Sequence, residues 1–400
     1  MLDAYIYDGL RTPFGRNGGA LAKVRPDDLL GHSIRAVMDR SPFAPEQVDD
    51  VIVGCGNQAG EDSRCVARHA LLVGGLPIEV PGTVIQRNCG SGMGAIIHGA
   101  QAITCGEGDV IVAGGVESMS RAPFVVGKAE QAFDKSFKVF ESSLGARFPN
   151  PKIESEFGDD TMPQTADNLA EEFQLDRDSC DKFAAASQAK YAAAKADGFF
   201  DGEIHAVTVP GGRRNPDVEV SEDEFPRPNT DKEGLAKLRP LNNGGVTTAG
   251  NASGINDGAV AVTVASRAAG EKAGAEPMVR ILSSGVAGVA PRIMGYGPVP
   301  AAQKALARAG LSIDDMDVIE VNEAFAAQVL ACLKGFELDF ADSRVNPNGG
   351  AITVGHPLGA SGPRIALTAA RQLHRTGGRY ALVSMCVGIG QGIAMVMERV

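Results

Sequence analysis

Two cysteines and a histidine lie beside glycines where short apolar runs end, a common place for reactive side chains. Cys89 follows the apolar run 83–85 and precedes a glycine-rich turn that leads into a segment of helical period. A helix N-terminus favours a thiolate, because its dipole and free N–H groups stabilise negative charge and can also bind an oxyanion. Cys89 is therefore a candidate nucleophile. The competing interpretation is a small turn residue without chemical function.

His356 lies at a similar junction near the C-terminus, also flanked by glycines. A neutral imidazole beside a thiol can take its proton. Cys386 ends a predicted buried strand just before Gly388, and a packed cysteine is the competing interpretation for it. Asn322 follows another predicted strand, where its amide could position a water molecule or donate to an oxyanion.

The elements that would position these residues occur twice along the chain. The first 120 residues alternate short apolar runs with segments of helical period, which is typical of a parallel sheet covered by helices. Residues 50–53 are echoed at 317–320, and a glycine-led helix at 92 is echoed at 362. The sequence therefore predicts an α/β fold of two duplicated βαβ-rich halves, in which strand ends from both halves converge.

Residues 121–250 interrupt this repeat with clustered phenylalanines, prolines and acidic runs. We predict three units in the chain, since 400 residues exceed one minimal core. Residues 1–120 form an N-terminal half that is completed by about 251–270. Residues 121–250 form an inserted loop domain that binds the ligand, and 271–400 form the C-terminal half.

Composition excludes several functions. The formal net charge of −11 argues against a nucleic-acid partner. The longest apolar stretch is broken by glycines and polar residues, so no membrane partner is expected, and the N-terminus lacks a signal pattern, which predicts a cytoplasmic location. Seven scattered cysteines without a C-x-x-C pair make disulfides and a metal site unexpected.

A glycine motif at 90–95 imitates a dinucleotide-binding fingerprint. In that fold the acidic residue that meets the ribose ends the second strand. Asp109 instead precedes its predicted strand. A nicotinamide or flavin site is therefore not favoured.

Four segments are similar, in the same order, to motifs of the thiolase family: NCGSG at 88–92, NEAF at 322–325, GHPLG at 355–359 and MCVG at 385–388. The chain resembles this family along essentially its whole length. The resemblance implies a five-layer α/β/α/β/α core with an inserted loop domain. It also implies an acyltransferase that works on coenzyme A thioesters as substrates, needs no cofactor and forms a homodimer or homotetramer.

The resemblance also implies a role for each motif residue. Cys89 would attack the 3-keto carbon of a 3-oxoacyl-CoA and retain the shortened acyl group, and His356 would activate it. Cys386 would handle the proton of the departing acetyl-CoA enolate. His356 and a water held by Asn322 would line one oxyanion hole, and the N–H groups of Cys89 and Gly388 the other.

Coenzyme A contacts are expected from the same resemblance. Arg227 would lie near the adenine nucleotide and Ser253 near the pantetheine. Met162 and Phe325 would line the pantetheine tunnel, and Ala324 is a further candidate contact. For each residue, an ordinary loop or core position is the alternative.

Residues 56–64 and 114–124 are most similar to the branch that cleaves 3-oxoadipyl-CoA to succinyl-CoA and acetyl-CoA. A dicarboxylic tail would need a cation at the end of its pocket, and Arg64 is a candidate. An acetoacetyl-CoA thiolase (acetyl-CoA acetyltransferase) and a broad 3-ketoacyl-CoA thiolase are alternatives, although Thr161 stands where many acetoacetyl-handling relatives carry histidine. Asn88 departs from the family, in which an apolar residue commonly precedes the nucleophile.

Two further hypotheses remain. A decarboxylating ketoacyl synthase on a similar fold typically uses two histidines, and Cys386 argues against it. A non-catalytic acyl-CoA or lipid carrier with a thiolase-like fold would be expected to lose its nucleophile, whereas Cys89 is present.

Overall fold

A computed structural model describes residues 1–213 and 215–400, which contain fourteen strands and twelve α-helices. The strands are β1 (Ala4–Arg11), β2 (Gly15–Arg16), β3 (Asp50–Gly54), β4 (Gly82–Ile85), β5 (Val110–Ser118), β6 (Phe124–Val126), β7 (Val139–Glu141), β8 (Val207–Val209), β9 (Val218–Val220), β10 (Asn256–Ala265), β11 (Val279–Gly288), β12 (Val318–Val321), β13 (Tyr380–Val387) and β14 (Gln391–Arg399). The helices are α1 (Pro26–Arg40), α2 (Val66–Gly74), α3 (Ser91–Cys105), α4 (Pro151–Phe157), α5 (Met162–Glu172), α6 (Arg177–Ala196), α7 (Lys232–Ala236), α8 (Arg267–Ala273), α9 (Pro298–Ala309), α10 (Ala326–Gly335), α11 (Ala351–Val354) and α12 (Leu358–Thr376).

The same strand order occurs in both halves. The first half has the order β4-β3-β5-β10-β1, and the second has β12-β13-β14-β11. A parallel bridge from Ile319 of β12 to Val345 occupies the place that β4 holds in the first half. The predicted duplication is therefore confirmed at the level of strand order. β1 and β11 pair only at Ala4–Ile6, so the two halves are joined at one edge.

The layers follow from where the apolar side chains are buried. α3 and α12 lie between the two halves and share a core with both, in which Ile96 and Ile365 pack with Val262 of β10 and Met395 of β14. α1 and α2 cover the outer face of the first half, while α9 and α10 cover that of the second. Strands buried on both faces read as continuous apolar runs, as β10 and β13 do.

Glycines allow α3 and α12 to cross closely. A Cβ on Gly92 would lie 2.0 Å from the carbonyl oxygen of Gly359, and one on Gly362 would lie 2.4 Å from the backbone nitrogen of Met93. A Cβ on Gly115 of β5 would also reach Gly359, at 1.8 Å from its oxygen. The N-terminal turns of both helices are therefore adjacent, and the reactive residues immediately precede those turns.

Residues 121–250 leave the sheet after β5, and the chain returns to it in β10, between β5 and β1. Their helices α5 and α6 pack against α10, and α6 also packs against α11. Arg11 of β1 is fully buried and pairs with Glu203 and Asp223, each at 2.6 Å. Removing one partner of a buried ion pair typically costs about 3–5 kcal/mol, so this cluster anchors the segment to the sheet.

Of the helices described, none has the length and apolar character that crossing a membrane demands.

The helix crossing predicts that Gly92→Ala is destabilising. The added methyl group collides with backbone rather than with a movable side chain, and overpacking typically costs about 1–3 kcal/mol. We expect a lower midpoint of urea unfolding by circular dichroism. Gly94→Ala in the same helix is the matched control, because its nearest neighbour is a methyl carbon of Ile85 at 3.2 Å. Equal midpoints for the two variants would contradict the prediction.

Candidate active site

Cys89 lies in the turn between β4 and α3. Asn88 enters this turn in the left-handed region, with φ of 43°, which asparagine tolerates better than most residues. Its side-chain amide donates to the carbonyl oxygen of Gly388 at 3.1 Å, and its own carbonyl accepts from the hydroxyl of Ser91 at 2.6 Å. Asn88 therefore fixes the turn and ties it to the β13–β14 connection in the other half.

The Cys89 thiol is protonated at neutral pH. Burial raises its pKa to about 11, while a hydrogen bond from the Gly388 N–H opposes part of that rise. The Gly388 N–H is directed at the Cys89 sulfur and stabilises negative charge there, as a donor in an oxyanion hole does. The thiol therefore needs a neighbouring base before it can attack.

His356 is positioned between α11 and α12 by the residue before it and by a distant amide. Gly355 has φ of 100°, and a Cβ there would lie 2.3 Å from the amide carbon of Asn256, so only glycine fits. The Asn256 side chain accepts the His356 backbone N–H at 3.0 Å and donates to Gly15 at 2.9 Å. β10 thus fixes the backbone that carries the imidazole.

Ser361 determines which imidazole nitrogen is free. Its hydroxyl donates to the carbonyl oxygen of Pro357 at 2.9 Å and lies 2.6 Å from Nδ1 of His356. Because the hydroxyl has only one proton, its oxygen accepts the Nδ1 proton, which assigns Nε2 as the free base. Burial, together with the positive charge of Arg364, lowers the pKa of His356 to about 4. The imidazole is therefore neutral at neutral pH.

Asn322 lies against this imidazole after the end of β12. It is fully buried, and its amide nitrogen is 3.5 Å from each of the two ring nitrogens. Its Oδ1 has no hydrogen-bond partner among residues 1–213 and 215–400. The next residue, Glu323, accepts from Ser187 and Asn346 and so holds the segment in place.

Cys386 lies near the end of β13, opposite Gly392 of β14. It belongs to a small buried apolar cluster whose other members are Ala166, Ala252, Met294, Ala324 and Phe325. Burial raises the pKa of the Cys386 thiol, and the nearby Cys89 raises it further. The two thiols therefore interact electrostatically, although they come from opposite halves of the chain.

Glu117 at the end of β5 was not among the residues predicted from the sequence. Its carboxylate accepts the backbone N–H groups of Gly56, Asn57 and Gly359, each at 2.9 Å. Burial raises its pKa to about 7 against the effect of these three hydrogen bonds. Because Gly359 lies in the first turn of α12, three residues after His356, Glu117 sets the position of that helix relative to the Cys89 turn.

Three candidate coenzyme A contacts lie beside Cys386 and Gly388. Ala324 and Phe325 pack in the Cys386 cluster, and Phe325 pairs with Ala252 in an antiparallel bridge. Met162 begins α5, is 38% exposed, and has its sulfur 3.9 Å from where a Cβ on Gly388 would lie. These side chains therefore border the approach to Cys386 and Gly388.

Arg227 lies apart from them in a cavity of about 170 Å³ that Leu238 and Gly250 also line. Its guanidinium is 5.3 Å from the centre of the Phe225 ring. Ser253 does not line this cavity, but its N–H donates to the carbonyl oxygen of Ala324 at 2.9 Å. The chain from 249 to 253 therefore leads from the cavity to the apolar cluster around Cys386.

The geometry adds Glu117, Ser361 and Asn256 to the site. An acidic residue at the end of a fully apolar strand was the available signal for Glu117, and a hydroxyl in the first turn after His356 was the signal for Ser361. Nothing in the sequence around Asn256 indicates its contact with His356, because the two are 100 residues apart.

One cluster has the residue types of a metal site. Cys55, Asp62 and Glu117 are buried and place possible ligand atoms within 4.8 Å of one another. Both oxygens of Glu117 already accept backbone N–H groups, which favours a structural role. The absence of a metal requirement stays a prediction.

The fold and the site together define a class of protein. A protonated thiol beside backbone N–H donors, a neutral imidazole and a second thiol are the groups that an enzyme needs to transfer an acyl group through a cysteine thioester. Two domains known from protein families match the chain: "Thiolase, N-terminal domain" over residues 4–268 and "Thiolase, C-terminal domain" over 275–399. The chain belongs to the thiolase family and is an acyltransferase.

Known proteins are similar to this chain along its full length. The chain is 54% identical to a beta-ketoadipyl-CoA thiolase of Acinetobacter baylyi and 52% identical to the 3-oxoadipyl-CoA/3-oxo-5,6-dehydrosuberyl-CoA thiolase of Escherichia coli, with 100% of each chain covered. The crystal structure of human mitochondrial 3-ketoacyl-CoA thiolase in complex with CoA is 41% identical, with a TM-score of 0.92 over 100% of this chain and 98% of that one. The predicted five-layer fold is thereby confirmed.

The raised pKa of Cys89 predicts how its reactivity depends on pH. Only the thiolate reacts with iodoacetamide, so below a pKa of about 11 the alkylation rate should rise about tenfold per pH unit from pH 7 to pH 9. Peptide mass analysis separates Cys89 from the exposed Cys105, which serves as the internal control. A plateau for Cys89 below pH 8 would show a stable thiolate and contradict the assignment.

Proposed function

We propose that the protein catalyses the thiolytic cleavage of 3-oxoadipyl-CoA by coenzyme A, giving succinyl-CoA and acetyl-CoA. The observation that carries this proposal is full-length identity of 54% and 52% to relatives named for that substrate. The grouping of Cys89, His356, Asn322 and Cys386 supports the reaction type. Coenzyme A is a substrate in this scheme, and no cofactor is involved.

In the first step, Nε2 of His356 takes the proton of Cys89, and the sulfur attacks the 3-keto carbon. The bond between carbons 2 and 3 then breaks, and its electron pair leaves as the enolate of acetyl-CoA. The thiol of Cys386 protonates carbon 2 of that enolate. The succinyl group remains on Cys89 as a thioester, and Cys386 is left as a thiolate.

In the second step, the Cys386 thiolate takes the proton of the incoming coenzyme A thiol. The coenzyme A sulfur attacks the succinyl thioester, and Cys89 leaves as a thiolate that regains its proton from His356. Succinyl-CoA is released, and both cysteines return to their starting state. Two proton-transfer groups are needed because His356 exchanges the proton of Cys89, while Cys386 protonates carbon 2 and then takes the proton of coenzyme A.

Two sets of donors would stabilise the negative charge of the intermediates. The N–H of Gly388, which already acts on Cys89, is suited to the thioester oxygen at that sulfur, together with the N–H of Cys89. The second set is His356 together with a water molecule that would donate one hydrogen bond to the free Oδ1 of Asn322. This assignment follows the roles implied by the family.

Coenzyme A would place its adenine nucleotide at the Arg227 cavity and its pantetheine past Ser253 toward Ala324 and Phe325. Support for this path comes from the run of chain from 249 to 253, which connects the two places.

A homodimer or homotetramer and a cytoplasmic location remain predictions. Size-exclusion chromatography with light scattering and cell fractionation test them.

The substrate proposal predicts the order of activities in a thiolysis panel. With coenzyme A present, kcat/KM should be highest for 3-oxoadipyl-CoA and lower for acetoacetyl-CoA and 3-oxooctanoyl-CoA, measured as loss of the 3-oxoacyl thioester. Without coenzyme A, peptide mass analysis should find a succinyl adduct on Cys89. A higher rate with acetoacetyl-CoA would instead identify an acetyl-CoA acetyltransferase, and binding without turnover would favour a carrier.

The separate role of Cys386 predicts a divided effect of Cys386→Ala. Cleavage of 3-oxoadipyl-CoA should fall at least about 100-fold, because the departing enolate loses its acid. Acylation of Cys89 by succinyl-CoA should persist, since that step needs no carbon protonation. Cys332→Ala is a control for loss of another buried thiol. An equal loss of acylation and cleavage would contradict the assignment.

A further inference from the structure

A 3-oxoadipyl substrate differs from a fatty acyl substrate in its distal carboxylate, which must be bound or left in water. This inference rests on the proposed function and concerns the group that recognises that carboxylate. The loop after β3 borders the nucleophile: a Cβ on Gly56 would lie 3.6 Å from the carbonyl oxygen of Asn88 and 3.5 Å from a side-chain carbon of Leu358. The next residue in this loop is Asn57.

Arg147 reaches this loop from the inserted segment. It lies between β7 and α4, and the neighbouring Phe148 packs on Phe140 of β7 with ring centres 4.8 Å apart. The guanidinium of Arg147 donates from Nη1 to Oδ1 of Asn57. The Arg147 guanidinium is thus held at Asn57, and the residue before Asn57, Gly56, borders the Cys89 turn.

The guanidinium keeps most of its binding capacity. Within residues 1–213 and 215–400, Arg147 forms no ion pair with a carboxylate and uses one of its five N–H donors. The edge formed by Nε and Nη2 makes no hydrogen bond among these residues, and such an edge binds a carboxylate with two parallel hydrogen bonds. Arg147 is also only partly exposed, which strengthens such a contact.

Asn57 is oriented to hold this cation. Its Oδ1 accepts from both Arg147 and the N–H of Ala59, while its Nδ2 is buried without a hydrogen-bond partner. The side chain is 7% exposed, so the unpaired donor carries a desolvation cost. The backbone of Asn57 is fixed in turn by Glu117.

The other charged groups near the loop are either engaged within the protein or exposed to solvent. Glu61 forms ion pairs with Arg25 and Arg121, so neither arginine is free for a ligand. Asp62 is buried and accepts the N–H of Gly60. Arg64, the candidate chosen from sequence, is exposed and makes no side-chain hydrogen bond among the described residues.

We propose that Arg147 binds the distal carboxylate of the dicarboxylic acyl group and that Asn57 is the positioning residue that holds Arg147 for this task. Arg147 is then the residue by which the enzyme distinguishes a 3-oxodicarboxylyl thioester from a 3-oxoacyl thioester of equal length.

The test compares 3-oxoadipyl-CoA with 3-oxohexanoyl-CoA, which has the same six-carbon chain but ends in a methyl group. The readout is the ratio of the two kcat/KM values. Arg147→Gln should lower that ratio about 10- to 100-fold, since a hydrogen-bonded ion pair is lost. Arg147→Lys should recover part of the ratio, because it restores the charge but not the two-donor edge.

Asn57→Leu tests the positioning role. The substitution removes the oxygen that holds Arg147 but leaves the guanidinium and its charge in the chain. The ratio should therefore fall as in Arg147→Gln. Arg64→Gln is the matched control, for which the ratio should stay within about twofold of the unmodified enzyme.

The outcomes separate this inference from the proposed function. If the unmodified enzyme shows no preference for 3-oxoadipyl-CoA over 3-oxohexanoyl-CoA, the proposed function fails. If that preference exists and Arg147→Gln keeps it, or if Arg64→Gln removes it, the assignment to Arg147 fails while the function stands. Equal losses on both substrates in Arg147→Gln would show a structural role and would also overturn the assignment.

Discussion

The buried carboxylate of Glu117 holds together the parts of the active site that come from different halves of the chain. Its three hydrogen bonds join the end of β5 to the loop after β3 and to the start of α12. Hydrogen bonds to a charged group contribute about 1.5–3 kcal/mol each, which offsets part of the cost of burying the carboxylate. The remaining cost is visible in its pKa, which burial raises to about 7. The position of α12, and with it that of His356, relative to the Cys89 turn depends on this junction.

Burial acts in opposite directions on the two groups that begin the reaction. It raises the pKa of the Cys89 thiol and lowers that of the His356 imidazole, so both are uncharged before substrate binds. The site therefore holds no resting ion pair that would have to be broken. Charge develops only during attack, where fixed N–H donors such as that of Gly388 stabilise it without reorganisation.

The elements could be predicted from sequence, and Cys89 could be proposed as the nucleophile, because both inferences depend on local patterns. The glycine-led helices predicted at 92 and 362 fall within α3 and α12. Cys89, His356 and Cys386 are candidates because each stands beside glycines at the end of an apolar run. The runs at Cys89 and Cys386 are strands as expected, whereas the run before His356 is the short helix α11. The repeated order of strands was likewise readable, since a duplicated sequence keeps its apolar periodicity.

The supporting contacts could not be predicted, because they join residues that are distant in sequence and depend on the direction of single hydrogen bonds. Glu117 meets Gly359 across 242 positions, and Asn57 meets Arg147 across 90. A sequence indicates that a cation is needed for a dicarboxylate, but it does not show that Arg147 is partly buried and held at Asn57 while Arg64 is exposed, so Arg64 was the candidate instead of Arg147. The sequence by itself thus determined the reactive side chains and the elements that carry them. Only the tertiary structure decided their protonation states and partners, because burial and hydrogen-bond direction exist only once the two halves have packed.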